Sequence, residues 1–351
     1  MTKLLALVAV LVCLVGCSGG APEGSDPPDS PIALPEGYTD KPEHSARTEC
    51  RDKSTASVDP ALGEQSDGRP DGPTIARIRK EGLVIGVSQT ASLFSKRDLV
   101  TGELAGFEID LADRIAAALF PHPEPGKPGL RLLGLPTGGR LGSLDTEQNA
   151  AEKARNTSLK EVPRTDLVIA DVSVTCGRVE TYGLRYSTPY LTTNSGLLVR
   201  KGMGTVSGPD DLGGRKVCSA TRTTNSDEMI DARDRQRQSG LRELVPVAVA
   251  DNSDCLMLLQ RGLVDAIYTD VLILQGFHDQ DPGTVLLDYH NAAPGEVAIA
   301  MSGKQDDLVR FVNSVLRDMR RDGSLQRSYD TWFRGVPQNH RAPLPAEPFP
   351  G

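Results

Sequence analysis

Charged residues and a cysteine interrupt an apolar segment near the middle of the chain. The segment LVIADVSV (167–174) carries Asp171 in its interior, and Cys176 and Arg178 follow where it ends. A carboxylate in a buried strand must be paired or hydrogen-bonded, because removing an unpaired charge from water is costly. A guanidinium offers a planar, two-pronged set of donors that suits a carboxylate. The charges of this segment therefore require partners from elsewhere in the chain or from a ligand.

Common motifs for other chemistry are absent from the sequence. It contains no GxGxxG, Walker A, HExxH or CxxC pattern, and its five histidines show no paired spacing. These absences argue against phosphate-binding loops and the common metal sites, and no cofactor is expected. No basic patch or stripe of interleaved aromatic residues is present, so nucleic acid is not an expected partner.

Strand and helix patterns alternate over residues 73–333. GLVIGVS (82–88) predicts a buried strand, and FEIDLADRIAAALF (107–120) places apolar residues on one helical face. Further predicted strands are LRLLGL, TDLVIADVSV, SGLLVRK, RKVCSA, VDAIYTD and TVLLDYH, and further predicted helices are SDCLMLLQRG and DDLVRFVNSVLRDMRRDGSLQRSYDTWF. This alternation predicts an α/β fold with mostly parallel sheets. The length is enough for one large domain or two smaller ones.

The N-terminus predicts export. Lys3 precedes an apolar run from Leu4 to Val15, which is too short to span a bilayer and typical of a signal peptide. The run ends in LVGC, which resembles the lipobox of bacterial lipoproteins, where the chain is cut before a cysteine that is then lipidated. We predict a signal peptide over 1–16, lipidation of Cys17, and attachment to the extracytoplasmic face of the cell membrane by the lipid alone. An ordinary signal peptide that contains cysteine is the alternative.

Residues 17–72 and 336–351 lack the pattern of a folded element. In the first stretch, rich in Pro, Gly, Ser and Asp, acidic residues outnumber basic ones by twelve to five. Such a segment buries too little apolar surface to offset the loss of chain entropy on folding. Most of the net charge of −8 lies there, so the acidity belongs to a tether and not to the folded part. We predict a disordered tether over 17–72 and a disordered C-terminal tail over 336–351.

A series of motifs resembles one protein family. In order these are GFEIDLADRIAAAL, TDLVIADVSVTCGRVE, YSTPY, SGLLVRKG, DLGGRKVCSATRTTNS, GLVDAIYTD and LVRFVNSVLRDMRRDGSLQRSYDTWF. Together they are similar to the family 3 bacterial extracellular solute-binding proteins of polar amino-acid ABC transporters, and within it to the actinobacterial glutamine/aspartate/glutamate-binding lipoproteins. The resemblance covers essentially all of residues 75–335. It implies a two-lobed periplasmic-binding-protein type II fold, with lobe 1 over 74–193 and 295–335, lobe 2 over 194–294, and two crossover strands as the hinge.

The resemblance also implies a set of ligand residues in the cleft between the lobes. These are Ser88, Phe94, Thr137, Arg140, Asp171, Ser173, Arg178, Thr223, Thr224 and Asp270. Arg178 lies where the family binds the α-carboxylate of an amino acid, and Thr223 and Thr224 lie where a helix start assists it. Asp270 matches the family's amine-binding aspartate. Asp171 stands where the family usually has a small residue.

The pocket for the ligand's side chain departs from the family pattern. Many relatives use two aromatic residues that Ala91 and Thr137 replace here, so only Phe94 remains, and Ser88 replaces an arginine of acidic-ligand relatives. Arg140 aligns with an arginine near a side-chain carboxylate, and such an ionised pair is stronger than a bond to an amide oxygen. We therefore rank glutamate and aspartate first, glutamine and asparagine next, and arginine or lysine last.

Each of these residues also has a purely structural interpretation. Arg178 could cap a helix or pair with Glu180 on the surface, and Asp270 could cap the helix that follows it. Arg140 could be a surface helix residue, and Phe94 could belong to the core.

Six cysteines suggest disulfides in an exported chain. Cys13 leaves with the signal peptide and Cys17 is expected to be lipidated, which leaves Cys50, Cys176, Cys218 and Cys255 with three possible pairings. We predict Cys218 with Cys255, because they lie on successive elements of lobe 2, and therefore Cys50 with Cys176. Free or metal-bound thiols are the alternative.

Three functions compete on this basis. The first is a monomeric solute-binding protein that delivers a polar amino acid to an ABC permease. The second is an amino-acid-sensing receptor that signals to a membrane partner. The third is a dehydratase-like enzyme, for which Glu296 would be the candidate acid or base. The retained amino-acid site argues against an enzyme.

Overall fold

The computed structural model describes residues 33–45, 57–123, 125–155, 162–204, 206–289 and 294–348, without the side chains of 152–155. The predicted signal peptide, the lipidation site Cys17 and Cys50 lie outside these residues. Within this part of the chain, no helix is both long and apolar enough to cross a membrane.

Short strands and helices alternate along the chain. The strands are β1 (Gln65–Ser66), β2 (Arg69–Pro70), β3 (Leu83–Val87), β4 (Thr90–Ala91), β5 (Ser95–Arg97), β6 (Leu104–Ala105), β7 (Leu130–Gly134), β8 (Leu167–Ile169), β9 (Leu184–Tyr186), β10 (Leu191–Thr193), β11 (Ser195–Arg200), β12 (Lys216–Ala220), β13 (Val245–Val249), β14 (Ala266–Asp270), β15 (Thr284–Leu286), β16 (Gly295–Val297) and β17 (Ala300–Ser302). The helices are α1 (Pro73–Glu81), α2 (Phe107–Leu119), α3 (Glu147–Arg155), α4 (Cys176–Tyr182), α5 (Thr224–Gln238), α6 (Asn252–Gln260), α7 (Val271–Gln280), α8 (Asp306–Arg321) and α9 (Ser324–Trp332). This is the α/β class that the sequence predicts.

Lobe 1 is built on a sheet of strand order β7-β3-β8-β17-β9. β3 pairs in parallel with β7 and β8, whereas β17 runs antiparallel to β8 and β9. Phe107 of α2 packs edge-on against Tyr329 of α9 and against Phe333, which follows α9. Because β17, α8 and α9 all follow lobe 2 in sequence, lobe 1 is completed only when the chain returns.

Lobe 2 is built on a sheet of strand order β13-β12-β14-β11-β15. β12 pairs in parallel with β13 and β14, and β11 is antiparallel to both of its neighbours. A disulfide joins Cys218 of β12 to Cys255 of α6, whose Cα atoms are 5.6 Å apart. This confirms the predicted Cys218–Cys255 pair.

Two adjacent strands connect the lobes. β10 leads from lobe 1 into lobe 2 and β16 leads back, and the two pair antiparallel with Leu191 opposite Val297 and Thr193 opposite Gly295. Together they form a two-stranded sheet that is separate from the two larger sheets. The predicted two-lobed α/β fold with two crossover strands is thereby confirmed. The predicted mostly parallel sheets are mixed in their pairing, because two of the four strand pairings in each five-stranded sheet are antiparallel.

Residues 33–45 and 57–72, the described part of the predicted tether, differ from the disorder that their composition predicts. Thr39 exchanges two backbone hydrogen bonds with Ala248 on the edge strand β13, at 2.9 and 2.8 Å. Farther along, Asn313 of α8 donates to the carbonyl of Val58 at 2.7 Å, and Arg69 of β2 contacts Asp318 at 2.8 Å. These residues have no core of their own, but an open sheet edge and a helix surface supply the partners.

The residues after α9 also make defined contacts, where the sequence predicts a disordered tail. The hydroxyl of Tyr329 donates to the carbonyl of Ala342 at 2.8 Å, and Arg320 pairs with Glu347 at 2.9 Å. Both Arg320 and Glu347 are largely buried in this pair. The proline-rich composition predicted no regular element, and the segment is instead held by side chains of α8 and α9.

Candidate functional site

Arg178 is held in the cleft by the turn that starts α4. Thr175 caps this helix and accepts a hydrogen bond from the Arg178 N–H at 3.2 Å. Nη1 of Arg178 donates to the carbonyl of Ser173 at 2.9 Å, and Nη2 donates to the carbonyl of Arg222 at 3.3 Å. Ser173 belongs to lobe 1 and Arg222 to lobe 2. Arg178 is therefore a buried residue that spans the cleft, and not a surface residue paired with Glu180.

Asp270 reaches the cleft from lobe 2, at the end of β14. Its Oδ1 accepts a hydrogen bond at 3.2 Å from Nδ2 of Asn225, which also donates to Ser195 at 2.9 Å. Asp270 occupies the N-cap position of α7, but its side chain makes no capping hydrogen bond. Burial, and then the charge of Asp171, raise the pKa of Asp270 well above its ordinary value. A cation at these two carboxylates would relieve that repulsion.

The two predicted threonines have different surroundings. Thr223 caps α5, since its Oγ1 accepts from the N–H of Ser226 at 3.1 Å and donates to the carbonyl of Ala220 at 2.6 Å. Thr224 places its Oγ1 3.4 Å from Oγ of Ser173 in the other lobe. The hydroxyl of Thr223 is thus engaged within lobe 2, whereas Thr224 brings the start of α5 to the cleft.

Glu108 is a buried carboxylate that the sequence patterns did not single out. It lies in the first turn of α2 and is 0% exposed. Its Oε1 accepts from the N–H of Asp171 at 2.6 Å and from the hydroxyl of Tyr190. Burial, and then the charge of Asp171, raise the pKa of Glu108 to about 7. An acidic residue in the first turn of a helix also complements the helix dipole. The sequence therefore could not distinguish a cavity residue from an ordinary helix-start residue.

Arg140 and Asp171 lie beside Glu108. Asp171 has a φ of 51°, in the left-handed region that favours glycine but that aspartate also adopts. Arg140 is 9% exposed and donates from Nη1 to the carbonyl of Ala170, so it is not a surface residue. Burial, and then the charge of Arg178, lower the pKa of Arg140, while Asp171 and Glu108 oppose this shift.

These side chains line a small cavity between the lobes, of about 20 Å³. Its lining residues are Ser88, Thr90, Ala91, Glu108, Thr137, Arg140, Ala170 and Asp171 from lobe 1, and Asn252, Ile273 and Phe277 from lobe 2. The structure therefore brings Ser88, Thr137, Arg140 and Asp171 together, as their predicted roles require.

Asp251 joins the lobes on another side of this cavity. It caps α6, and it also accepts hydrogen bonds from Thr90 Oγ1 at 2.9 Å and from Thr137 N and Oγ1 at 3.0 and 3.1 Å. Burial alone would raise the pKa of Asp251, but the donors of Ser253, Thr137 and Thr90 outweigh it and lower the pKa. The sequence pattern DNSD indicates only a helix cap, so the contacts of Asp251 with lobe 1 were missed.

Phe94 is predicted to contact the ligand, but the structure places it outside the cavity. It is 0% exposed and packs edge-on against Phe333, with 5.4 Å between the ring centres. It belongs to the core of lobe 1 and is not among the residues that line the cavity. The prediction that Phe94 contacts the ligand is therefore wrong. A large aromatic side chain is more stable in an apolar core than in a polar cleft.

Cys176 stands at the first position of α4, two residues before Arg178. It is disulfide-bonded. Its expected partner Cys50 lies outside the described residues, so the Cys50–Cys176 pair stays a prediction. In the described part of the chain, no group of three or more His, Cys, Asp or Glu side chains is arranged to hold a metal ion.

Comparison with known families agrees with this geometry. Residues 141–335 match the bacterial extracellular solute-binding proteins, family 3. The chain belongs to this family. As a family 3 solute-binding protein, it has the two-lobed type II fold of amino-acid-binding proteins, with Arg178 and Asp270 in the cleft between the lobes.

Several known relatives of this solute-binding protein bind amino acids. The L-cystine-binding protein TcyJ of Escherichia coli K12 is 29% identical over 73% of this chain and 85% of its own. The glutamine-binding protein GlnH of Bacillus subtilis is 25% identical over 75% of this chain and 86% of its own. Among solved structures, a mutant of ArgBP from T. maritima aligns with a TM-score of 0.59 at 24% identity, over 75% of this chain and 100% of its own.

The name of GlnH also describes it as a protein of an ABC transporter. One structural neighbour, at 22% identity and a TM-score of 0.58, is an ancestral amino-acid-binding protein described as a precursor of cyclohexadienyl dehydratase. In this chain Glu296, the carboxylate considered for catalysis, is exposed on β16 and is not among the residues that line the cavity.

Proposed function

We propose that this solute-binding protein is a lipoprotein on the extracytoplasmic face of the membrane, which binds a free polar amino acid and delivers it to an ABC permease. The observation that supports the proposal most directly is that Arg178 and Asp270 lie in the same cleft. They are buried charges of opposite sign, presented by opposite lobes to one cleft. A zwitterion matches both at once.

In this proposal the α-carboxylate binds to Arg178 and to the N-terminus of α5 near Thr224. A guanidinium and a helix N-terminus both favour an anion. The α-ammonium binds to Asp270 and Asp171. Burial raises the pKa of both carboxyls above its ordinary value, and the charge of Asp171 raises the pKa of Asp270 further, so a cation at these residues favours their ionised forms. Because the two groups of the ligand contact both lobes, binding favours closure of the cleft.

The amino-acid site can be tested by thermal denaturation of the protein with each of the twenty amino acids and with cystine. A ligand at about 100 times its Kd should add roughly 2.7 kcal/mol to the free energy of unfolding. We expect stabilisation by a small set of polar amino acids. A protein that responds to none of them would refute the proposed binding function.

Delivery to a permease and lipid anchoring need separate tests in cells. We expect deletion of the protein to reduce uptake of the amino acid that binds in vitro, and unchanged uptake would favour a receptor instead. We also expect the Cys17→Ala variant to leave the membrane fraction, because a protein held by lipid alone has no other anchor there. Membrane retention of that variant would contradict the predicted lipidation.

A further inference from the structure

The cavity beside Arg140 holds buried oxygen atoms that lack donors. Glu108 Oε2, Asp171 Oδ1 and Asn252 Oδ1 accept no hydrogen bond from the residues that the structure describes. All three side chains line the same cavity. Natural proteins seldom leave a buried acceptor unpaired, since the cost is about 1–3 kcal/mol for each group. Three such atoms around one cavity indicate a ligand that brings hydrogen-bond donors.

The two carboxylates carry this argument. The amide of Asn252 can rotate by half a turn and present Nδ2 in place of Oδ1, so it can meet a donor or an acceptor. Glu108 and Asp171 have no such freedom when they are ionised, because a carboxylate only accepts hydrogen bonds. Glu108 is 0% exposed and Asp171 is 9% exposed, so bulk water does not reach their unpaired oxygens.

The charges around the cavity also favour a ligand group that donates hydrogen bonds. Arg140 faces Glu108 and Asp171, and one of its nitrogens is already bound to a backbone carbonyl. Asp171 also faces Arg178 and, in the other lobe, Asp270. A ligand carboxylate in this cavity would add a further negative charge to three carboxylates that already outnumber the two guanidinium groups. Repulsion between like charges at such distances disfavours it.

We infer that this cavity binds the ligand's side chain, and that the side chain must end in a group with both N–H donors and an acceptor oxygen. Its N–H groups donate to Glu108 and Asp171, and its oxygen accepts from Arg140. The carboxamide of glutamine or asparagine has this pattern. The second amino-acid head of cystine has it as well, and the charge of its ammonium group offsets that of its carboxylate. The inference rests on the proposed amino-acid site, and it reverses the order in which the sequence ranks glutamate before glutamine.

Isothermal titration calorimetry on the full chain, at about pH 8, tests the inference with glutamine, asparagine, cystine, glutamate, aspartate and arginine. We expect glutamine, asparagine or cystine to bind at least tenfold more tightly than glutamate and aspartate. Tightest binding by glutamate or aspartate would overturn the inference and leave the proposed function intact. Tightest binding by arginine would also overturn it, because a guanidinium has no acceptor for Arg140. Binding of none would instead refute the proposed function.

The variant Asp171→Asn tests the residue directly. Asparagine keeps the size of aspartate and adopts the same left-handed backbone, but it replaces a carboxylate oxygen by a donor. We expect the affinity ratio of glutamine, or of whichever donor ligand binds the wild type, to glutamate to fall about tenfold. Glu108→Gln should lower the ratio in the same way, which keeps the test decisive if one variant does not fold.

The matched control is Glu180→Gln, which removes an exposed carboxylate from α4. We expect its affinity ratio to equal that of the wild type. If both cavity variants fold and keep the wild-type affinity ratio, neither carboxylate contacts the ligand's side chain, and the inference fails. If the control changes the ratio as much as they do, the effect is one of overall charge, and the inference fails as well.

Discussion

Arg178 and Arg140 are both buried in the cleft, yet their partners differ. Arg178 donates to a carbonyl of each lobe, at Ser173 and Arg222. Arg140 contacts the carbonyl of Ala170 in its own lobe, where the carboxylates of Glu108 and Asp171 face it. Two residues of the same type are therefore placed for different tasks.

This difference assigns closure of the cleft to Arg178 and selection of the ligand to Arg140. A group that binds at Arg178 also affects the contact between the lobes, and every amino acid has an α-carboxylate that can bind there. A group that binds at Arg140 meets the donors and acceptors of lobe 1, so its chemistry decides which side chain fits. Loss of Arg178 should thus affect all ligands equally, whereas changes around Arg140 should alter their order.

The largest effect is expected for Arg178→Ala. Loss of a charge-assisted contact in a closed cleft costs roughly 2–5 kcal/mol, which corresponds to about 30-fold or more in Kd. Calorimetry should show this loss for every ligand, with a melting temperature near that of the wild type without ligand. The exposed Arg334→Ala is the control and should bind normally. Near-wild-type affinity of Arg178→Ala would remove this residue from the site.

A smaller effect is expected for Asp251→Asn. The carboxylate holds Thr90 and Thr137 of lobe 1 only when the lobes are together, and its hydrogen bonds carry the strength of an ionised acceptor. Asparagine retains the helix cap but weakens these bonds, so we expect about a tenfold weaker affinity. Stopped-flow measurements should place the change in the dissociation rate. An unchanged dissociation rate would show that these contacts do not limit opening.

The pH dependence of binding should distinguish the two kinds of ligand. The pKa of Glu108 is about 7, and Asp171, Arg140 and Tyr190 are the titratable groups that contact or face it. A ligand that donates to Glu108 stabilises its ionised form, so the affinity should rise with pH up to about 7 and level off above it. A ligand carboxylate would favour protonated Glu108, and its affinity should fall as the pH rises above 7. The expected changes are several-fold.

Calorimetry in two buffers of different ionisation enthalpy checks the sign. Binding of glutamine or cystine near pH 7 should release protons, and Glu108→Gln should abolish this release. Proton uptake by the wild type with these ligands would contradict the assigned role of Glu108.

The smallest effect on binding is expected for Phe94→Leu. Phe94 packs against Phe333 in the core and is absent from the cavity lining, so its loss should lower the free energy of unfolding by about 1 kcal/mol. Ligand affinity should stay within about twofold of the wild type. A selective loss of affinity, without loss of stability, would show that Phe94 contacts the ligand after all.

Part of the fold and of the site could be predicted from the sequence. Periodicity predicted the alternation of strands and helices, because it is a local property of the chain. The resemblance of the ordered motifs to a known family implied two lobes with Arg178 and Asp270 in the cleft. The resemblance also put Phe94 in the ligand site, since a motif match does not show which side of a loop faces the core.

The sequence by itself determined that charges lie in or at the ends of apolar segments, at Asp171, Arg178 and Asp270, and therefore require partners. The tertiary structure alone decided which groups surround them. Glu108 accepts a hydrogen bond from the backbone N–H of Asp171, 63 residues away in sequence, and Asp251 accepts one from the backbone N–H of Thr137, 114 residues away. Such pairs form only when two lobes, one of them completed by the returning chain, pack around a shared cleft. Long-range packing fixes these distances, and no local pattern in the chain encodes them.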